Sequence, residues 1–215
     1  PLCDDAALIR ACLSAGLAVA QIATGQPSPL AHAVTIDDES AAHVMATWLI
    51  KLGHRRIGFI AGAANQTASA LRQAGFERAL REAGIPRNAS LTVAGDFTYR
   101  SGLAAARELL EQAQPPTAIF ASNDDMAAAV IALAHRMGLQ VPDDLTVCGF
   151  DDTVIATTTW PELTTIRQPV AAMASEAVRL LDWDIRGRHR SPRVDHPVMQ
   201  KRLHFALIKR HSHAK

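Results

Sequence analysis

The sequence predicts an α/β fold built on parallel strands, and three observations carry that prediction. Short runs rich in β-branched and apolar residues alternate with longer stretches of helical apolar spacing. The longer stretches stop at glycine or proline. Of the 215 residues, 48% are hydrophobic, enough for a sizeable core.

The strand-like runs are "LAVAQIA", "AVTI", "RIGFIAG", "LTVAG", "AIFAS" and "LTVCGF". Between the second and third, a helix is expected over residues 38–52. Asp37 or Asp38 can cap its first N–H groups, Val44, Trp48 and Leu52 fall four apart on one face, and Gly53 supplies a left-handed stop. Further helices are expected over residues 68–83, ending at Gly84 before Pro86, and over residues 101–111, stopped by "QPP". "TAIFASNDDMAAAVIALAHRMG" repeats the order of strand, polar turn and helix. "TTTWPELTTIRQP", residues 157–169, reads as the longest irregular stretch.

Net charge is +1 but uneven: residues 186–215 hold nine Lys or Arg against the single acid Asp195. Only Phe205 among them is aromatic, which favours a solvated basic tail over a single-strand nucleic-acid patch. His211 and His213 of that tail read as solvent-facing rather than as metal ligands, since no Cys or carboxylate stands at ligand spacing. No run reaches the roughly 18 apolar residues of a membrane span, and "PLCDDAALIR" lacks the order of a signal peptide. Three cysteines, Cys3, Cys12 and Cys148, have no paired spacing, and Cys148 fits as a small buried hydrophobe, so a reducing cytoplasm is the expected setting.

In open parallel sheets, ligands bind outside the carboxyl ends of the strands. Three polar clusters fall there: "SNDD" at 122–125, "FDD" at 150–152 and "GDFTYRSG" at 95–102. Paired carboxylates suit acid and base catalysis or a divalent cation, yet no phosphate-cradling glycine loop and no nucleophile elbow accompany them. His54 lies just past a helix end, where its imidazole or Arg55 can satisfy terminal carbonyls, so capping is favoured over a catalytic role. The other use is grip without chemistry. A neutral polyol is held by carboxylate, amide and guanidinium groups against an aromatic face, a set that Asp151, Asn123, Arg72 and Phe97 supply. Each has an ordinary alternative: Asn123 or Asp124 as a helix cap, Asp152 as an acceptor of backbone N–H groups in its turn, Phe97 as core.

"VTIDD", "LIKLGHRRIGFIAG", "ALRQAGFERALREAGI", "AIFASNDDMAAAVIALAHRMGLQVPDDLTVCGFDD", "PELTTIRQPVAAMASEAVRLL" and the closing "LHFALIKRHS" occur in that order. Together they resemble the effector-binding core of LacI/GalR-family bacterial transcription regulators, nearly end to end. The resemblance implies a two-lobe fold of the type I periplasmic-binding-protein kind, parallel sheets flanked by helices, with the chain crossing between lobes several times and an effector in the cleft. Residues 1–34 and 167–190 would form a partial N-terminal lobe, 35–166 and 191–210 the C-terminal lobe, and 211–215 a basic tail. By motif position, Arg72 resembles the family's ligand-gripping arginine, Phe97 its stacking aromatic, Asn123 its amide and Asp151 its hydroxyl-binding acid. Gln168, where the chain passes between lobes, is a fifth candidate. Residues 155–161 resemble the family's dimer contact, which implicates Ile155, Thr159 and Trp160 together with Ala128; the alternative for Trp160 is a plug beneath its own loop.

Two departures stand out. After "AVAQIA", where many members place a sugar-binding acid, this sequence has Ala23 and Thr24. The start, "PLCDDAALI", resembles the middle of the family's N-terminal lobe, so the DNA-reading headpiece and the first βαβ units are expected outside this chain. What the resemblance implies is a non-enzymatic, sugar-responsive homodimeric regulator that needs no cofactor or metal and meets operator DNA through that headpiece. A solute-binding protein for sugar transport shares fold and cleft, and an enzyme using the carboxylates is the remaining alternative.

Overall fold

The computed structural model describes residues 5–190 and 197–213, with the backbone alone at 188–190. In chain order the elements are α1 (Ala6–Ser14), β1 (Ala20–Ile22), β2 (His32–Thr35), α2 (Asp38–Lys51), β3 (Ile57–Ala61), α3 (Thr67–Glu82), β4 (Thr92–Ala94) and α4 (Tyr99–Leu110). They continue with β5 (Ala118–Ala121), α5 (Asp124–Arg136), β6 (Thr146–Asp151), α6 (Ile155–Thr158), β7 (Thr164–Arg167), α7 (Val170–Arg190), β8 (Gln200–Arg202) and β9 (Ala206–Ile208). The glycine stops fall where expected, Gly53 at φ +100° after α2 and Gly84 at φ +67° after α3.

The chain divides into two units. The larger comprises Asp38–Ala64, Ser69–Gln168 and the stretch from Phe205 onward. Its six-stranded sheet has the order β4-β3-β5-β6-β7-β9, parallel except for β9, which runs antiparallel to β7. Strands buried on both faces read as continuous apolar runs, and β3, β5 and β6 do so because helices cover them. Phe59, Phe120 and Phe150 are fully buried, and the Phe59 ring stacks on Phe76 with centroids 4.8 Å apart.

The smaller unit comprises the chain up to Asp37, Asn65–Ala68 and Pro169–His204. Its three strands, β1-β2-β8, are parallel, and α7 sends Met173, Ala177 and Leu180 into the interior beside Ala33 and Val34. His32 is buried there, with its Nε2 3.7 Å from Asp184 and its Nδ1 accepting from the Met199 amide.

Several expectations are corrected. The buried face of α2 is Ala42, Met45, Ala46 and Leu49 rather than Val44, Trp48 and Leu52. Alanines let the helix approach the sheet closely, so the stripe lies one residue round from the bulky one. Residues 157–169 are not irregular throughout, since β7 lies among them between β6 and β9. Of the segment 191–210 expected in the larger unit, residues 197–204 fall in the smaller one, because β8 pairs with β2; residues 191–196 lie outside the described residues. The end of the chain is not a ragged tail as far as Ser212 and His213. The Ser212 hydroxyl donates to the Val147 carbonyl at 2.6 Å and accepts from the Thr164 amide, and the His213 ring packs edge-on to Trp48. His211 is exposed as expected.

His54 is not a helix cap. Arg55 takes that part, its Nη1 donating to the Ile50 carbonyl at 2.9 Å, while the His54 ring bridges the hydroxyls of Thr117 and Thr146 at the starts of β5 and β6. Burial holds its pKa below the usual histidine value.

Candidate functional site

At the carboxyl end of the larger sheet, the α3 residue Arg72 is buried and held on three sides. Its Nε donates to Asp38 Oδ1 at 2.8 Å, its Nη1 donates to the Ser122 carbonyl at 2.6 Å, and its guanidinium lies 3.7 Å from the Phe150 ring centroid. Asp151 Oδ1 stands 3.6 Å from Nη1. Fixing a long side chain in this way spends its rotamer entropy on folding rather than on ligand capture.

Asp151 ends β6 at φ +110°, outside the comfortable range of a non-glycine residue. Gln168 Nε2 donates to its Oδ1 at 2.7 Å, and about a quarter of the side chain stays exposed. Burial raises its pKa; Arg72 and the Gln168 bond oppose that rise, and the charges of Asp38 and Asp125 add to it.

Asp152 is structural, as one reading of its sequence allowed, though its partners are guanidinium groups rather than backbone amides. Arg167 Nε donates to Oδ2 at 2.5 Å and Arg210 Nη2 lies 2.6 Å from Oδ1. Burial pushes its pKa up, but these two arginines outweigh it and hold the carboxyl below the usual range.

Asn123 serves two internal partners. Its Oδ1 caps α5 by accepting from the Met126 amide at 3.0 Å, and its Nδ2 donates to the Phe97 carbonyl at 2.8 Å. The cap reading therefore holds, and the amide that starts the helix also fixes the Phe97 backbone. Phe97 has φ +70°, and its ring lies against Gly62, where any Cβ would fall inside the ring. The ring is half-buried, with the Arg72 guanidinium 5.8 Å from its centroid.

All five expected ligand residues lie in the larger unit, and the structure joins them through shared bonds. Sequence reasoning missed four members: Asp38, taken only as a helix cap; Phe150, the platform under Arg72; the Ser122 carbonyl; and Gly62. The signal for Asp38 was the acid pair in "VTIDD", but its partner lies 34 residues away. Strain marks the place independently. Among the described residues, the positive-φ non-glycine residues are Ala23, Phe97, Asp151 and Asp152, each at or just past the end of a parallel strand. Ala23 belongs to the smaller unit, in the loop where the resemblance flagged a departure. That unit has a groove of about 570 Å³ lined by Leu8, Cys12, Val19, Ile22 and Gln66, among others; it is mostly apolar and includes none of the five residues.

Among the expected dimer-contact residues, Trp160 is 81% exposed, which removes the intramolecular plug, and neighbouring Val154 is 79% exposed. Ile155 and Thr159 are half-buried. Ala128 is 4% exposed and has little surface left to give a partner.

Compared with known proteins, residues 46–212 match the family model of the periplasmic binding protein-like domain. The chain belongs to that family. Catabolite control protein A of Priestia megaterium is 44% identical over 149 residues, 69% of this chain and 45% of that protein. The HTH-type transcriptional regulator DegA of Bacillus subtilis (strain 168) is 36% identical over 188 residues, 87% of this chain and 56% of that protein. Among solved structures, the transcriptional regulator CelR in complex with cellobiose matches at a TM-score of 0.88 and 34% identity, over 97% of this chain and 62% of that one. The chain spans about half the length of the curated relatives it matches. These relatives are LacI-family transcription regulators, the family whose motifs the sequence resembles, and the α/β architecture with parallel sheets is theirs. Among the described residues, no helix is long and apolar enough to cross a membrane.

Proposed function

We propose that this chain is the ligand-sensing core of a cytoplasmic bacterial transcription regulator. It takes a sugar or related small metabolite at the carboxyl end of the six-stranded sheet and so controls operator binding, without catalysis. The observation that carries this reading is the buried Arg72, fixed by Asp38 and by the Phe150 ring and set 3.6 Å from Asp151. Together with the half-buried Phe97 face, these groups offer what a polyol needs: charged donor, charged acceptor and an apolar plane. The regulator CelR, solved with cellobiose, is a relative with the same fold.

Control would be a population shift, in which the effector binds one arrangement of a homodimer better than another and so changes affinity for DNA elsewhere in the whole protein. The exposed Trp160 and Val154, with Ile155 and Thr159 beside them, are the proposed contact with the second copy. DNA would be met by a helix-turn-helix part of the whole regulator, as a two-fold dimer on a pseudo-palindromic site.

The test is a thermal-shift screen of mono- and disaccharides, sugar acids and nucleosides on the complete protein. A ligand at a hundred times its dissociation constant stabilises by about 2.7 kcal/mol. Arg72→Ala and Asp151→Asn are each expected to abolish the shift, with ligand recovered unchanged after incubation. Full affinity in both variants sinks the site. Trp160→Glu is expected to convert a dimer to monomer in sedimentation, and an unchanged dimer rejects that contact.

A further inference from the structure

We propose that the effector is an uncharged polyhydroxylated molecule and that the site rejects its phosphorylated or carboxylated counterparts. This rests on the reading of the site given above. One guanidinium, Arg72, is set against two carboxylates, with a third charge close by. It donates to Asp38, lies 3.6 Å from Asp151, and Asp125 in the first turn of α5 adds a third negative charge that Asp151 feels through space. Asp96 adds another carboxylate in the loop after β4. Arg167, which precedes Gln168, and Arg210 are already committed, because both close on Asp152.

An anionic ligand would therefore meet a guanidinium that an internal carboxylate has neutralised and would sit among surplus negative charge. In a partly desolvated site such like-charge neighbours are felt strongly. Hydroxyl groups fit the same inventory well. Each can donate one proton to a carboxylate such as Asp151, whose oxygens outnumber the internal donors found for them, and can accept from the remaining N–H groups of Arg72. The buried Ser122 hydroxyl, next to the carbonyl that holds Arg72, has no hydrogen-bond partner among the described residues. Phe97 supplies the apolar plane for the ligand's C–H face.

The experiment is isothermal titration of the complete protein with matched pairs: glucose with glucose 6-phosphate and glucuronate, ribose with ribose 5-phosphate, cellobiose with cellobionate, adenosine with adenosine 5′-monophosphate. For any neutral compound that binds, the anionic counterpart is expected to bind at least about a hundredfold more weakly. Asp125→Asn is expected to narrow that ratio by about threefold or more. An anion that binds as tightly as its neutral counterpart, or a ratio unchanged in Asp125→Asn, overturns the charge assignment while leaving the sensor reading in place. Binding of no member of any pair removes the sensor reading itself, and this inference with it.

Discussion

In the larger unit β3, β5 and β6 are buried along almost their whole length and Phe59, Phe120 and Phe150 lose all exposure; in the smaller unit β1 is only partly buried and α1 buries none of its residues. Both are built from the same βα units with similar apolar content. What differs is the number of layers that meet. Six strands covered by helices leave few apolar side chains outside, whereas three strands under α7 leave Leu8, Leu17, Ile22, Leu30, Val178 and Ile185 exposed. Apolar composition becomes stability only where a second surface closes over it, so opening free energies should differ between the two units.

The strongest way to break that comparison is to truncate one buried and one exposed side chain. Phe120→Ala removes a fully buried ring and is expected to cost about 3–5 kcal/mol. Leu8→Ala, in α1, is expected to stay within about 0.5 kcal/mol. Urea unfolding followed with Trp48 or Trp183 as the single tryptophan reports the larger and smaller unit respectively. A cost for Leu8→Ala approaching that of Phe120→Ala would show that α1 is packed as firmly as the central sheet.

The next effect separates the units by pH. Asp124, fully buried beneath the site, has its pKa pushed up to about 7, because desolvation outweighs the bonds it accepts from Thr165 and Thr153, and the charge of Asp151 adds to the rise. An acid whose folded pKa exceeds its unfolded one binds more proton when folded, so stability falls as pH rises from about 4 to about 7. The slope is at most about 1.4 kcal/mol per pH unit, flat beyond either end. Asp124→Asn should remove this slope from the larger unit, read as the urea midpoint at pH 5 against pH 7.5. An identical slope in the variant assigns the effect to another group.

How far the sequence foretold this arrangement depends on where each residue's partner lies. Helix ends were legible because their signals, Gly53 and Gly84, sit beside the elements they stop. The strand ends that carry Asn123 and Asp151 were legible because parallel sheets place ligands there. β7 was hidden because Thr164 and Thr165 look polar, yet both are fully buried, with hydroxyls engaged by the Arg210 amide and by Asp124, 46 and 41 residues away. The Arg72 partner of Asp38 was missed for the same reason. Local pattern predicts a side chain's role when its partner is near in sequence; it fails when a distant group satisfies the polar atom. The smaller unit's share of residues 191–210 follows this rule too, since only the pairing of β8 with β2 reveals it.

The smallest expected effect compares two glycines that follow strands, one in each unit. Gly25 sits where a Cβ would strike the backbone of Thr67 and Ala68, and Gly62 where it would strike the ring of Phe97. Backbone at the start of α3 cannot step aside, so Gly25→Ala is expected to cost about 1–3 kcal/mol. A ring can turn about its own side-chain bonds, so Gly62→Ala is expected to cost only about 0.5–1.5 kcal/mol in stability. The ring it displaces is the proposed stacking face, and losing that contact should weaken effector binding about tenfold, a difference of about 1.4 kcal/mol. Urea unfolding and ligand titration on both variants separate the outcomes. If Gly62→Ala binds effector as the parent does, Phe97 is packing rather than platform, and the strain at its backbone serves the core alone.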